Sequence, residues 1–183
     1  IQSSTQAFYL VDIVTVNGVA IDSVDWVGAF NGDICVGARK WNTSICGSGV
    51  CDIPAMGNDG TELTDGYLED GEAPRFKIWQ ASTGLFYDAI TEVPAVDWSD
   101  EANVHILMTL DVIEDCNTIL GGHAFLDVCE DCVGGSTGLV EDYNDPDGDD
   151  VCNDGASNGD ADNCPNDANA DQWNYDGDDA EYH

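Results

Sequence analysis

The sequence predicts an all-β fold for its first 112 residues, followed by an irregular C-terminal arm. Short runs of β-branched and aromatic residues alternate with Gly, Asn and Asp turn signals over residues 1–112. No segment keeps a 3.6-residue apolar period over three turns, which argues against helices. Residues 141–183 contain thirteen Asp and two Glu but neither Lys nor Arg, and such a segment cannot bury a hydrophobic core.

The predicted strands begin with a hairpin. Residues 8–16 are strongly β-prone, and the turn dipeptide Asn17-Gly18 separates them from a second run at 19–21. Short strands of this number and spacing are typical of a β-sandwich, and we expect an immunoglobulin-like one. The remaining predicted strands are residues 26–30, 34–41, 75–80, 85–90 and 104–112.

Changes in composition predict three segments. The β-sandwich occupies 1–112, a segment rich in Cys and Gly occupies 113–140, and the Asp-rich region occupies 141–183. The chain opens on Ile1 without a basic, apolar export signal. We therefore expect either a mature secreted chain or a fragment of a longer protein.

The order of the acidic residues predicts calcium binding. Asp145, Asp147 and Asp149 occupy alternate positions around Gly148, and a similar pattern returns at Asp176 and Asp178. Ca²⁺ takes six to eight oxygen ligands, which carboxylates on a turning backbone supply. A solvated, disordered acidic tail is the alternative, but the periodic spacing and the interleaved Cys residues argue against it. We expect several structural Ca²⁺ ions, held by Asp145, Asp147, Asp149, Asp154, Asp160, Asp162, Asp167, Asp171, Asp176 and Asp178.

These motifs resemble known families. The Asp145–Asp149 turn and the run Asp162-Asn163-Cys164-Pro165 are similar to thrombospondin type 3 repeats, in which the chain wraps around a line of calcium ions. The Cys/Gly segment at 115–138 is similar to modules that accompany such repeats in large secreted bacterial surface proteins. Residues 25–37, 65–68 and 76–79 resemble the β-sandwich domains found beside them. The resemblance implies display, adhesion or assembly at a cell surface, without a catalytic role.

Eight cysteines and the paucity of Lys predict an oxidising, extracellular setting. Cys129-x-x-Cys132 has the spacing of a zinc ligand pair, but a second pair at matching spacing is absent, so we favour disulfides. Cys46–Cys51 and Cys152–Cys164 are the local bridges we expect. The predicted disulfide cysteines are Cys35, Cys46, Cys51, Cys116, Cys129, Cys132, Cys152 and Cys164.

The formal net charge of −33 argues against nucleic acid and anionic membranes as partners, because both would be repelled. No apolar run is long enough to predict insertion into a membrane. The three His residues lie outside any recognisable nucleophile motif, so we expect no enzymatic activity.

Two features of the sequence concern glycans, namely tryptophans in polar loops and a glycosylation sequon. Trp41, Trp98 and Trp173 lie in polar loops and are candidates for contact with sugars or proteins, whereas Trp79 is expected in the core. Asn42 begins an Asn-x-Ser/Thr sequon and is a candidate for glycosylation.

The function predicted from sequence is a secreted, calcium-stabilised structural subunit of an extracellular filament or surface layer, whose partner is a further copy of itself. The first strand is nearly apolar, so it either completes its own sheet or inserts into a neighbouring subunit. The alternative is a carbohydrate-binding or adhesion module of a larger secreted protein.

Overall fold

The protein is described by a computed structural model over residues 1–91, 94–99, 104–153, 155–157 and 159–173. The chain divides into two compact units, one from Ile1 to Ile113 and one that begins at Glu114. The Cys129–Cys152 disulfide joins the Cys/Gly-rich segment to the Asp-rich region, whose predicted boundary lies near residue 140.

Over its described residues, the first unit contains eight strands and two single-turn 3₁₀ helices. The helices are Thr43–Ile45 and Glu62–Thr64. The strands in chain order are β1 (Gln6–Val16), β2 (Val19–Ala20), β3 (Trp26–Asn31), β4 (Ile34–Lys40), β5 (Cys51–Met56), β6 (Arg75–Gln80), β7 (Leu85–Thr91) and β8 (Val104–Val112).

One hydrogen-bonded sheet contains all eight strands, in the order β2-β1-β8-β7-β6-β3-β4, and β5 also pairs with β1. β1 is bordered on both sides, because β8 lies parallel to it along one edge while β5 and β2 pair antiparallel along the other. β7 pairs with β6 through Leu85–Ala89 and then with β8 at Ile90 and Thr91. β7 therefore connects the two halves of the sheet.

The sheet curls around a core of aliphatic and aromatic side chains. Gly37 in β4 lies so close to β5 that an added Cβ would come within 1.9 Å of the Pro54 carbonyl oxygen. Trp98 also packs inside, where its Nε1 donates to the Ala55 carbonyl at 3.0 Å. The largest fully buried side chains of this unit include Tyr9, Ile53, Leu68, Ile78, Leu107 and Leu110.

The all-β class is confirmed, and the predicted strands appear with bounds within two residues of those expected. β5 was missed, since Pro54 within a short run argues against a strand by removing a backbone donor. The immunoglobulin-like detail is not confirmed, because the strands join into one curled sheet through β7.

The second unit contains one short antiparallel pair, β9 (Ala124–Leu126) and β10 (Cys132–Gly134). Two disulfides join residues of this unit, Cys116–Cys132 and Cys129–Cys152. Its buried apolar side chains are few, with Ala124, Val133 and the half-cystines Cys129 and Cys152 at its centre. Cross-links and polar loops therefore replace a large hydrophobic core here.

Three disulfides form in the described part of the chain, and they indicate an oxidising, extracellular environment. The expected Cys46–Cys51 bridge is present. The expected Cys152–Cys164 bridge is wrong, because Cys152 pairs with Cys129. Cys35 and Cys164 lie outside these three disulfides. Among the described residues, no helix has the length and apolar character needed to cross a bilayer.

Candidate metal centre

Three carboxylates converge in the loop that precedes Cys152. One ligand oxygen from each of Asp145, Asp147 and Asp149 lies within 4.8 Å of the others. Asp145 is 2% exposed and Asp149 is 7% exposed, although carboxylates are rarely buried unless they are paired. This cluster can hold a metal ion.

Backbone amides shape the loop around Asp145. Its Oδ1 accepts hydrogen bonds from the N–H groups of Gly148 at 3.0 Å and Asp149 at 3.2 Å. Its Oδ2 accepts from Asp150 N–H at 3.0 Å. Gly148 and Asp150 both have positive φ, 74° and 68°, so the backbone turns tightly around the carboxylate. The turn places three successive amides on one side chain.

Asp149 ties the same loop to a later part of the unit. Its Oδ1 accepts from Val151 N–H at 2.9 Å, and its Oδ2 accepts from Asn169 N–H at 2.7 Å. The second of these bonds joins residues twenty positions apart. Asp149 therefore helps to hold the residue 169 segment against the acidic loop.

Asp162 is a third buried Asp of this unit, after Asp145 and Asp149, at 8% exposure. Its backbone N–H donates to the Cys152 carbonyl at 2.8 Å, which fixes it beside the disulfide. Its Oδ1 accepts from Cys164 N–H and from Gln172 Nε2. Its Oδ2 is buried without a hydrogen-bond donor among the described residues.

The acceptor atoms left over after these bonds indicate a cation site. Both side-chain oxygens of Asp147, Asp162 Oδ2 and Asn153 Oδ1 are buried and receive no hydrogen bond within the described chain. A buried acceptor without a donor costs about 1–3 kcal/mol, and more when it is charged. A cation held between the carboxylates of Asp145, Asp147 and Asp149 would remove that cost for Asp147.

The electrostatics of Asp147 agree with this interpretation. Burial raises the pKa of the Asp147 carboxyl, and the nearby carboxylates of Asp149 and Asp162 raise it further. Like charges held together in this way favour the binding of either a proton or a metal ion. Asp162 contributes to this raised pKa although it lies fifteen positions from Asp147 in the sequence.

The structure brings together three of the ten predicted ligands, namely Asp145, Asp147 and Asp149. A fourth, Asp162, is buried and contributes to the raised pKa of Asp147, but it lies outside the group of three. Asp160, Asp167 and Asp171 are exposed and lie outside this cluster. Asp154, Asp176 and Asp178 lie outside the described residues, so their part in metal binding stays a prediction.

Sequence reasoning missed Asn153 as a candidate oxygen donor. Its side-chain oxygen is buried and unpaired within the described chain. The signal was present, because Asn153 directly follows Cys152 in the acidic segment and carries an amide oxygen. An amide oxygen is as acceptable to Ca²⁺ as a carboxylate oxygen, at a lower charge.

The structure also locates the predicted glycosylation site and four of the tryptophans. Asn42 is half-buried and caps the Thr43–Ile45 helix, where its Oδ1 accepts from Ser44 N–H at 3.3 Å. Trp41 and Trp98 are 4% and 3% exposed, so the expectation that both offer contacts to sugars or proteins is wrong. Trp173 is 71% exposed and stays a candidate. Trp79, expected in the core, is instead half-buried and lines a surface groove.

No protein-family model, curated protein or solved structure matches this chain. The similarity to thrombospondin type 3 repeats therefore stays a prediction. The metal centre is therefore inferred from the clustered carboxylates and from the unpaired buried oxygens of Asp147, Asp162 and Asn153.

Proposed function

We propose that the chain is an extracellular, non-enzymatic structural subunit whose second unit is stabilised by calcium, and that copies of it assemble into a filament or surface layer. The observation that carries the proposal is the cluster of Asp145, Asp147 and Asp149, together with the unpaired buried oxygens of Asp147, Asp162 and Asn153. Calcium suits this set because all the donors are oxygens, and neither His nor Cys is among them.

A structural role for the ion follows from how the ligands are held. Asp145 and Asp149 organise backbone amides of their own loop and of the residue 169 segment, while Asp162 is fixed to the Cys152 carbonyl. A cation bound by Asp145, Asp147 and Asp149 would restrain the acidic loop, to which the residue 169 segment is hydrogen-bonded, in a unit that has a small apolar core. It would also offset part of the net charge of −33, which otherwise opposes compaction.

A calcium titration tests the metal part of the proposal. Isothermal titration of the full chain, stripped of metal, should show calcium binding that the Asp147→Asn/Asp162→Asn double variant loses by at least about tenfold in affinity, equivalent to about 1.4 kcal/mol. Asp160→Asn/Asp167→Asn is the matched control, because both residues are acidic and exposed. An equal loss of calcium affinity in both double variants would show that binding depends on net charge and not on a defined site.

Two observations support assembly into a filament or layer. The sequence contains no recognisable catalytic motif, and the first unit exposes aromatic side chains on its sheet. Strand insertion between subunits stays a prediction. β1 pairs with β8, β5 and β2 of its own chain, so exchange would require all three partners to be replaced. Electron microscopy of the purified chain in calcium tests assembly, since uniform filaments or sheets support the proposal and dispersed monomers contradict it.

A carbohydrate-binding module is the second candidate, and one observation favours it. Trp26, Trp79 and Phe86 follow one another in register across three neighbouring strands. Trp26 is 41% exposed and Phe86 is 63% exposed. Rows of aromatic side chains on a sheet provide a flat surface for sugar rings. Binding of soluble oligosaccharides by a chain that stays monomeric would favour this function over assembly.

A further inference from the structure

The solvent side of strands β4, β3, β6 and β7 carries a groove in which four of the eight lining residues are aromatic. Side chains alternate along a strand, so every second residue shares this side. The groove has a volume of about 460 Å³. We call this surface the outer face; its residues are Trp26, Gly28, Phe30, Cys35, Ala38, Lys77, Trp79 and Phe86, which line the groove, with Lys40 and Arg75 on the same side of their strands.

The groove is open at its centre because Gly28 has no side chain. Gly28 lies between Ala38 and Lys77 in the register of the sheet, and an added Cβ would meet the Phe30 ring at 2.8 Å. The rings of Trp26, Phe30, Trp79 and Phe86 surround this position. An exposed apolar surface of this kind is a typical site for binding a protein or ligand.

The outer face also holds three of the four cationic side chains of the chain. Lys40 pairs in register with Trp26, Arg75 pairs with Phe30, and Lys77 lies over the Phe30 ring at 5.6 Å. The fourth, Arg39, points to the other side and binds Asp52. Lys77 is paired with Asp88 at 2.9 Å, whereas Lys40 and Arg75 form no ion pair with the described residues. The outer face is thus the cationic surface of a strongly acidic protein.

The second unit offers the complementary chemistry. From Glu114 onward the sequence contains twenty Asp and Glu residues and neither Lys nor Arg. Trp173 is 71% exposed, and its backbone N–H donates to the Asp171 carboxylate at 3.2 Å. Asp167 is exposed in the same segment. This segment therefore presents an aromatic ring flanked by carboxylates.

We propose that the outer face of one copy binds the second unit of another copy, with the Trp173 ring in the groove and nearby carboxylates beside Lys40 and Arg75. The inference rests on the proposed function, since it supplies the contact through which subunits assemble. Aromatic side chains in apolar pockets, flanked by opposite charges, carry much of the binding free energy in protein interfaces.

The geometry of such a contact predicts the kind of assembly. The two surfaces differ, one on the first unit and one on the second, so each copy offers one of each. A contact between unlike surfaces extends into an open chain unless its rotation closes a ring. In the open case, this contact gives a filament without any exchange of strands.

The test uses the full chain in calcium and follows assembly by sedimentation velocity and electron microscopy over a range of concentrations. Trp173→Ala should raise the concentration for half-assembly at least about tenfold, whereas Tyr143→Ala, which removes another exposed ring of the second unit, should not. Lys40→Gln/Arg75→Gln should have a similar effect. Its control is Gln2→Glu/Ser82→Asp, which changes the net charge equally at exposed positions of the first unit.

Cys35 gives a direct readout, because it lines the groove and its thiol is exposed. Alkylation of Cys35, located by peptide mass spectrometry, should slow at least about fivefold when the chain assembles. Filaments in which Cys35 stays fully reactive, or which form equally well from Trp173→Ala, overturn this contact while leaving the filament proposal intact. A wild-type chain that binds calcium and stays monomeric overturns both assembly claims. Quenching of tryptophan fluorescence by oligosaccharides in that monomer would assign the groove to glycans.

Discussion

Cys129 and Cys152 are joined by a disulfide with a Cα–Cα distance of 5.7 Å, which ties the Cys/Gly-rich segment to the acidic loop. Cys152 follows the cluster of Asp145, Asp147 and Asp149 by a few residues, and its carbonyl accepts the Asp162 N–H. The covalent bond and the candidate ion therefore restrain the same piece of backbone. Their effects on stability and calcium binding should be coupled.

Removal of this disulfide should weaken calcium binding. The bridge closes a loop of 23 residues, for which chain entropy predicts a loss of about 3 kcal/mol in the stability of the second unit. Titration calorimetry of Cys129→Ser/Cys152→Ser should show a lower calcium affinity than the wild type. Cys46→Ser/Cys51→Ser is the control, because that disulfide lies in the first unit. Equal affinities in all three proteins would contradict the coupling.

Removal of calcium should destabilise the second unit selectively. A ligand that binds only the folded state at one hundred times its dissociation constant adds about 2.7 kcal/mol to the free energy of unfolding. With EDTA, limited proteolysis should cut the acidic loop between Glu141 and Asp162, while the strands of the first unit stay protected. Mg²⁺ at equal concentration should restore less protection, because it prefers a rigid octahedral site that retains water. Unchanged cleavage after chelation would count against a bound ion.

Close packing of β4 against β5 should make Gly37 intolerant of any side chain. An Ala Cβ at this position would lie 1.9 Å from the Pro54 carbonyl oxygen, so the two strands would have to separate. We expect Gly37→Ala to lower the free energy of unfolding by about 1–3 kcal/mol in denaturant titrations. Gly47→Ala is the matched control, since an added Cβ there meets nothing within 4 Å. A Gly37→Ala protein as stable as this control would show that the strands are further apart.

Acid should weaken the anchoring of the N-terminal segment through Asp59. Its carboxylate accepts hydrogen bonds from Ser4 N–H at 3.0 Å and from Thr64 Oγ1 at 2.7 Å, and these donors lower the pKa of Asp59. A lowered folded-state pKa contributes stability above the unfolded-state value of about 3.9. That contribution is lost as the pH falls through the lower folded-state value.

Amide hydrogen exchange at Ser4 should report this loss directly. Exchange, corrected for its intrinsic pH dependence, should accelerate in the wild type below about pH 4. In Asp59→Asn it should be fast at neutral pH already and change little further in acid. If the protection of the Ser4 amide in the wild type does not change in acid, Asp59 does not anchor this segment.

Much of the first unit was predictable because its strands carry their signals locally. Phe8 and its neighbours are β-prone, and Asn17-Gly18 marks a tight turn whose Asn has a φ of 50°. Long-range pairing had no such signal. Nothing near Phe8 indicates that it lies beside Val104 in a parallel pair, or that β5 pairs along the other edge of β1.

The candidate site was predictable in its chemistry and less so in its geometry. Alternate Asp residues indicated Asp145, Asp147 and Asp149, because one turn of backbone positions them. The sequence predicted Asp162 as one of ten Asp ligands. Only its burial distinguishes it from Asp160, which is exposed. The partner of Cys152 depended on the folding of the preceding segment, and connectivity cannot be deduced from cysteine spacing.

Thr15 and Asp111 are joined by a side-chain hydrogen bond of 2.6 Å across the parallel pair of β1 and β8, although 96 positions separate them along the chain. Contacts between such distant residues slow folding, because a long loop must close before they form. A newly made chain will thus present its apolar first strand well before the eighth strand exists to cover that edge. Chaperones that hold extended apolar segments are expected to engage the protein during this interval.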